Sequence, residues 1–194
     1  MKLTKKIYDL QSLEILHSME GKNIGILGGS FNPSHNGHVL ISQVALDKYN
    51  IDYVIWLVAY CNPLKIGQYE ADIFARAEQS LKFIPDERIL ISTAECEIKS
   101  MDTYDSLSLL VGRFPNINFT WLMGLDNAQH FNQWKGYKEI SKLCRIIVFD
   151  RPGLGDFDFE KFRSELHGKD VLFSNDVQSH ISSSQIRKNR VATV

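Results

Sequence analysis

The chain has 194 residues, 44% of them hydrophobic and 23% charged, and its 22 Lys and Arg against 23 Asp and Glu leave a formal net charge of −1. A chain of this size and balance completes a core without disulfides or a structural metal, most simply as one globular domain. The charge excludes a globally basic nucleic-acid binder and an acidic tail protein, while leaving room for a local anion pocket.

Taken in chain order, residues 1–21 read as a helical appendage with Ile7, Leu10, Leu13 or Glu14, and Leu16 or His17 roughly on one face. A single domain is expected over 22–194. Short β-branched and aromatic runs predict strands over 23–27, 53–59, 88–92, 118–123, 145–149 and 171–173. Between them Phe74, Ala77, Leu81 and Ile84 recur at helical spacing, as do Tyr104, Leu107, Leu110 or Val111, and Phe114. Pro85, Pro115-Asn116 and Pro152-Gly153 with Gly155 punctuate these segments. Apolar strands alternating with helices predict an α/β protein with a doubly wound, mostly parallel sheet. Ligands in such sheets sit beyond the carboxyl ends of the strands, where the crossovers switch direction. The longest apolar run, over 54–61, falls far short of the roughly 20 residues that cross a bilayer. No secretory signal is visible, and Cys61, Cys96 and Cys144 are odd in number and widely spaced. Thiols in a reducing compartment, and hence the cytoplasm, are expected.

The strand over 23–27 is followed by Gly28-Gly29-Ser30-Phe31-Asn32-Pro33-Ser34-His35-Asn36-Gly37-His38 and then by the apolar Val39, Leu40 and Ile41 of a helix. Paired glycines allow close backbone approach by a ligand, and free N–H groups at a helix start favour a phosphate. Two common phosphate loops fail here: His38 follows Gly37 where a Lys would stand, and Ser30 follows Gly29 where GxGxxG needs another pattern. His35 and His38 fall on one helical face, able to donate to phosphate oxygens. Zinc is a weak alternative, because no carboxylate or Cys accompanies them at ligand spacing. Near the C-terminus, Ser182 and Gln185 make a capping-box pattern with Arg187 and Lys188 one turn in. Two helix starts of this kind suit a polyphosphate clamp.

The first of these motifs together with Ile181-Ser182-Ser183-Ser184-Gln185-Ile186-Arg187 resembles the nucleotidylyltransferase superfamily, whose signatures are GG[ST]F[DN]PxHxGH and ISSTxIR. Asn62-Pro63-Leu64-Lys65, Phe74-Ala75-Arg76, Asp102-Thr103-Tyr104-Asp105-Ser106-Leu107, Gly124-Leu125-Asp126 with Trp134 eight residues on, and Arg151-Pro152-Gly153 narrow the resemblance to the bacterial nicotinate-nucleotide adenylyltransferases. It spans about residues 24 to 188. Leu64 stands where the family has His, Asp102 where it has Tyr, and the chain stops soon after the last motif.

The resemblance implies a Rossmann-like sheet and adenylyl transfer from ATP to nicotinate mononucleotide, giving nicotinate adenine dinucleotide and pyrophosphate in NAD biosynthesis. It implies catalytic roles for His35, His38 and Arg187. It implies ATP contacts from Gly28, Gly29, Ser30, Phe31, Gly37, Ser182 and Ser183, and mononucleotide contacts from Lys65, Arg76, Thr103, Asp126, Trp134 and Arg151. Mg2+ is expected to arrive mainly through the ATP phosphates, with no metal ligand named in the chain. Neither nucleic acid nor membrane is expected as a partner. Oligomeric state is not legible, and a homo-oligomer stays open.

Overall fold

The computed structural model describes residues 7–60, 72–150 and 157–177, with position 186. Seven strands form one sheet: β1 (Ile7–Tyr8), β2 (Asn23–Gly29), β3 (Tyr53–Val58), β4 (Ile89–Ser92), β5 (Asn118–Gly124), β6 (Arg145–Phe149) and β7 (Val171–Ser174). Their order is β1-β4-β3-β2-β5-β6-β7, and every pairing is parallel. The six strands foreseen from apolar runs are all present, with no end more than two residues from the expected one.

The helices are α1 (Asn36–Lys48), α2 (Ile73–Leu81), α3 (Glu95–Ile98), α4 (Thr103–Arg113), α5 (Leu125–Ala128), α6 (Tyr137–Leu143) and α7 (Phe159–Ser164). Alternation along the strands sends Ile24, Ile26, Trp121 and Met123 to one face of the sheet, under Leu107 and Leu110 of α4 and Ile140 of α6. Leu27, Trp56, Leu122 and Ile147 go to the other, under Ile41 and Ala45 of α1 and Ala77 of α2. A period of two along a strand makes both faces apolar, so the sheet is buried on both sides. From β2 the chain first winds toward β3 and β4 and then returns past β2 to β5. The winding therefore reverses between β2 and β5, which is where such sheets bind ligands.

The N-terminal segment differs from the helical appendage expected of it. Ile7 and Tyr8 pair with Ile91 and Ser92 of β4 as an edge strand. Ser12–Met19 is a 3-10 helix whose Leu13, Leu16 and Met19 are buried in the main core. The spacing itself explains the difference: apolar residues repeating every third position drift around an α-helix but stay on one face of a 3-10 helix, which has three residues per turn. Cys144 lies fully buried, and burial pushes its thiol up to about 12, which makes it an inert part of the core. Among the described residues no helix is long and apolar enough to cross a membrane.

Candidate active site

The glycine-rich turn after β2 is shaped by what lies beneath it. A Cβ on Gly28 would stand 2.1 Å from the Trp121 ring, so only glycine lets β2 and the indole of β5 lie this close. Phe31 has a φ of 46°, a left-handed conformation that non-glycine residues adopt only when their surroundings hold them there. What holds it is burial: the ring is fully covered and stacks on Trp56 at 5.1 Å and 12°. His38 packs against the same pair, 4.7 Å from Phe31 and 5.7 Å from Trp56.

Both histidines serve the start of α1. His35 is its N-cap, and its Nδ1 accepts the N–H of Gly37 at 3.1 Å. The backbone N–H of His35 donates to Nδ1 of His38 at 3.2 Å, completing a capping box with imidazoles in place of the usual hydroxyl and carboxylate. The rings stack with centroids 3.9 Å apart. Because each Nδ1 accepts a backbone N–H, each neutral ring carries its proton on Nε2, a tautomer set by the hydrogen bonds. Ser42 anchors this turn: its hydroxyl donates to the His38 carbonyl at 2.9 Å and accepts Nε1–H of Trp56 at 2.8 Å.

Beside this loop a cavity of about 370 Å³ opens, lined by Gly28, Gly29 and Ser30 together with Thr103, Trp121 and Trp134. It lies at the reversal between β2 and β5. Trp134 is held edge-to-face by Trp121 at 6.2 Å and by Phe131 at 5.2 Å, so a flat aromatic surface is fixed at the wall rather than left free to rotate.

The structure thus gathers Gly28, Gly29, Ser30, Thr103 and Trp134 around one cavity, with Phe31, His35, Gly37 and His38 in the turn that leads from it into α1. Arg76, expected to contact the mononucleotide, also has a structural part. It is only 2% exposed and is absent from the cavity wall. Its Nη1 donates to the Ser30 carbonyl at 2.6 Å and its Nη2 to the Ala59 carbonyl at 2.8 Å. It is a strut beneath the glycine turn, because a guanidinium that satisfies buried carbonyls is fixed by them. Asp126 lies in α5, and its neighbour Asn127, not Asp126, lines the cavity. Lys65, Arg151, Ser182, Ser183 and Arg187 lie outside the described residues.

Residues that sequence reasoning passed over also reach the wall, above all Glu95 and Lys135. Glu95 opens the short helix directly after β4, the one signal that pointed to it, since ligands collect beyond strand ends. The residue is 7% exposed, and burial pushes its carboxyl up from 4.5 to about 7 against the lowering effect of hydrogen bonds from Tyr60 and Ser106. Lys135 follows Trp134 and donates to Asp105 at 2.9 and 3.0 Å, with Asp102 at 3.5 Å. The bond from Lys135, joined by one from Ser100, holds the Asp105 carboxyl below the usual range. Asp102 stands at the N-cap of α4 yet makes no side-chain cap bond; its charge faces Lys135 instead. Among the described residues, no three His, Cys, Asp or Glu side chains converge as a metal site.

A parallel, doubly wound sheet with a glycine turn, a histidine-capped helix and an aromatic cavity at its reversal point defines a Rossmann-like nucleotide-binding protein. Residues 26–189 match the model of the cytidylyltransferase-like family. A protein of Rhizobium johnstonii named "Probable nicotinate-nucleotide adenylyltransferase" is 36% identical over 137 residues, 71% of this chain and 69% of that protein. One of the same name from Methylorubrum extorquens is 42% identical over 130 residues, 67% of this chain and 70% of that protein. The fold is that of the Plasmodium falciparum nicotinic acid mononucleotide adenylyltransferase, solved as a complex with NaAD, at a TM-score of 0.70 and 21% identity over 86% of this chain and 83% of that one. The chain belongs to the cytidylyltransferase-like family and, within it, to the nicotinate-nucleotide adenylyltransferases.

Proposed function

We propose that this chain transfers the adenylyl group of ATP to nicotinate mononucleotide, releasing pyrophosphate and forming nicotinate adenine dinucleotide, as a cytoplasmic step of NAD biosynthesis. The observation that carries the reading is one cavity bordered by both a phosphate-suited glycine turn and a fixed aromatic wall, in a chain whose curated relatives bear that enzyme's name.

In this reading a phosphate oxygen of the mononucleotide attacks the α-phosphorus of ATP. The new P–O bond forms as the bond to the β-phosphate oxygen breaks, and pyrophosphate leaves. The attacking phosphate has a second pKa of about 6 and is already ionised at neutral pH, so no strong base is needed. Alignment and charge neutralisation do the work, as in other phosphoryl transfers.

The Nε2–H groups of His35 and His38 are donors to the ATP phosphates, His38 nearest the reacting centre. The backbone of Gly28, Gly29, Ser30, Phe31 and Gly37 supplies close contacts, and Arg187 with Ser182 and Ser183 holds the departing pyrophosphate. Thr103 and Trp134 serve the pyridine end, Asp126 stands close by, and Lys65 and Arg151 supply charged contacts to the mononucleotide. Magnesium arriving with the triphosphate would be held mainly by phosphate oxygens and water, in keeping with its preference for few protein ligands, and would supply charge neutralisation at the leaving group.

The test is steady-state pyrophosphate release from ATP and magnesium with nicotinate mononucleotide, compared with nicotinamide mononucleotide at matched concentration. Turnover with preference for the acid is expected. No turnover with either moves the reading to another phosphate acceptor.

A further inference from the structure

The two halves of the cavity are joined by a chain of polar contacts, part-buried at its centre, that runs through one peptide bond. The carbonyl of Ala59 accepts Nη2–H of Arg76 at 2.8 Å. The N–H of the same peptide, that of Tyr60, donates to Oε2 of Glu95 at 3.1 Å. A cation thus holds the oxygen end of this peptide and a carboxylate its N–H end. On the phosphate side Arg76 also holds the Ser30 carbonyl, and the Ala59 N–H donates to the Gly29 carbonyl at 2.8 Å. On the acceptor side Oε1 of Glu95 accepts the hydroxyl of Ser106 at 2.9 Å. Ser106 is fully buried on α4, the helix that begins at Thr103.

We infer that Glu95 is a positioning residue that keeps the acceptor half of the cavity, at the start of α4, in register with the glycine turn by gripping Tyr60 and Ser106 at once. This rests on the adenylyl-transfer reading. The carboxylate accepts from both donors with its charge, whereas a protonated carboxyl keeps the Tyr60 contact and can only donate to a turned Ser106 hydroxyl, leaving two neutral bonds. Charge-assisted bonds are also roughly twice as strong as neutral ones. The charged groups facing it are Arg76 from α2, which favours the carboxylate, and Asp102 at the start of α4, which opposes it. Lys135, also on the cavity wall, is taken up by Asp105 and Asp102.

The consequence is that stability and register respond to pH with opposite signs. The folded value near 7 lies above the ordinary 4.5, so between those values the folded chain keeps a proton that the unfolded chain has lost. The stability from this group is full below 4.5 and is lost as pH rises to about 7. Acceptor register behaves oppositely, improving as the carboxylate forms.

The experiment compares the wild-type chain with Glu95→Gln, a near-isostere of the protonated form that can still accept from Tyr60 and donate to Ser106. The KM for nicotinate mononucleotide, the KM for ATP, kcat and the melting temperature are read from pH 6 to 8.5. In the wild type the acceptor KM should fall as pH rises through about 7. In Glu95→Gln it should lose that dependence and stand roughly 5- to 20-fold higher at pH 8, the size of a weakened charge-assisted hydrogen bond. The ATP KM should change by less than about 2-fold, and the melting temperature should be equal or higher, since an uncharged amide escapes the desolvation penalty. Ser106→Ala, which removes one donor, should move the midpoint of the wild-type pH profile upward. Should Glu95→Gln keep the wild-type acceptor KM and pH profile, or raise both KM values together with a lowered melting temperature, the inference is overturned. A wild type without pyrophosphate release overturns the functional reading, and the inference with it.

Discussion

In the turn from Gly28 to His38 the bonds that shape the start of α1 are short in sequence, since His35 caps Gly37, His38 accepts from His35 and Phe31 packs on His38, while Trp56, Trp121 and Arg76 only support the turn from beneath. The acceptor side of the same cavity is assembled from afar. Lys135 bonds Asp105 thirty positions away, Glu95 meets Tyr60 across thirty-five, and Trp134 is fixed by Trp121 of β5. A site made of local bonds is specified by its own segment. One made of long-range bonds depends on the whole sheet bringing its parts together, and so can be retuned by single substitutions without breaking the fold.

The largest effect expected is from Arg76→Ala, which removes the strut on which the two sides meet. Stripping the donors from the Ser30 and Ala59 carbonyls should cost about 2–6 kcal/mol of stability, from two buried acceptors each left short of a donor. Urea unfolding measures it. A variant of normal stability with only a raised acceptor KM would return Arg76 to a ligand-contact role and dissolve the contrast.

Next comes His38→Ala, which probes the local side. Turnover should fall roughly 100-fold or more for the lost donor, while stability drops by only about 1 kcal/mol for the lost cap. Stopped kinetics and thermal unfolding on one preparation separate the two. A large stability loss with little change in kcat would make the imidazole a purely structural cap.

The smallest expected effect sharpens the comparison most. Asp102 and Asp105 share Lys135, the one cation among the described residues that line the cavity. Asp102→Asn leaves Lys135 on Asp105 but removes one negative charge from the cavity wall, and should raise the ratio of kcat/KM for the acid over the amide mononucleotide by roughly 5-fold, the scale of a charge interaction of about 1 kcal/mol in water. An unchanged ratio would show that this pair does not face the pyridine.

Much of this was legible beforehand, for identifiable reasons. Strands buried on both faces read as short apolar runs, so β2 to β7 stood out in the sequence. The glycine turn and its histidines were legible because their geometry is local. The N-terminal segment reads as a helix, and Ser12–Met19 is one, of the 3-10 type with Leu13, Leu16 and Met19 buried, while the two-residue edge strand Ile7–Tyr8 is too short to stand out from the run that follows it. For Arg76 the resemblance points to a mononucleotide contact, and nothing local announces that its guanidinium also meets the Ser30 and Ala59 carbonyls.

By itself the sequence determined the alternation that makes the sheet, the turn that ends β2 and the helix start that faces an anion, since each follows from residues within one or two turns of chain. The tertiary structure decided the rest. It put Arg76 and Glu95 on opposite ends of one peptide, pushed the Glu95 carboxyl up to about 7 and gave Lys135 two carboxylate partners. Burial and charge pairing are properties of where distant segments come to rest, and no short stretch of sequence contains them.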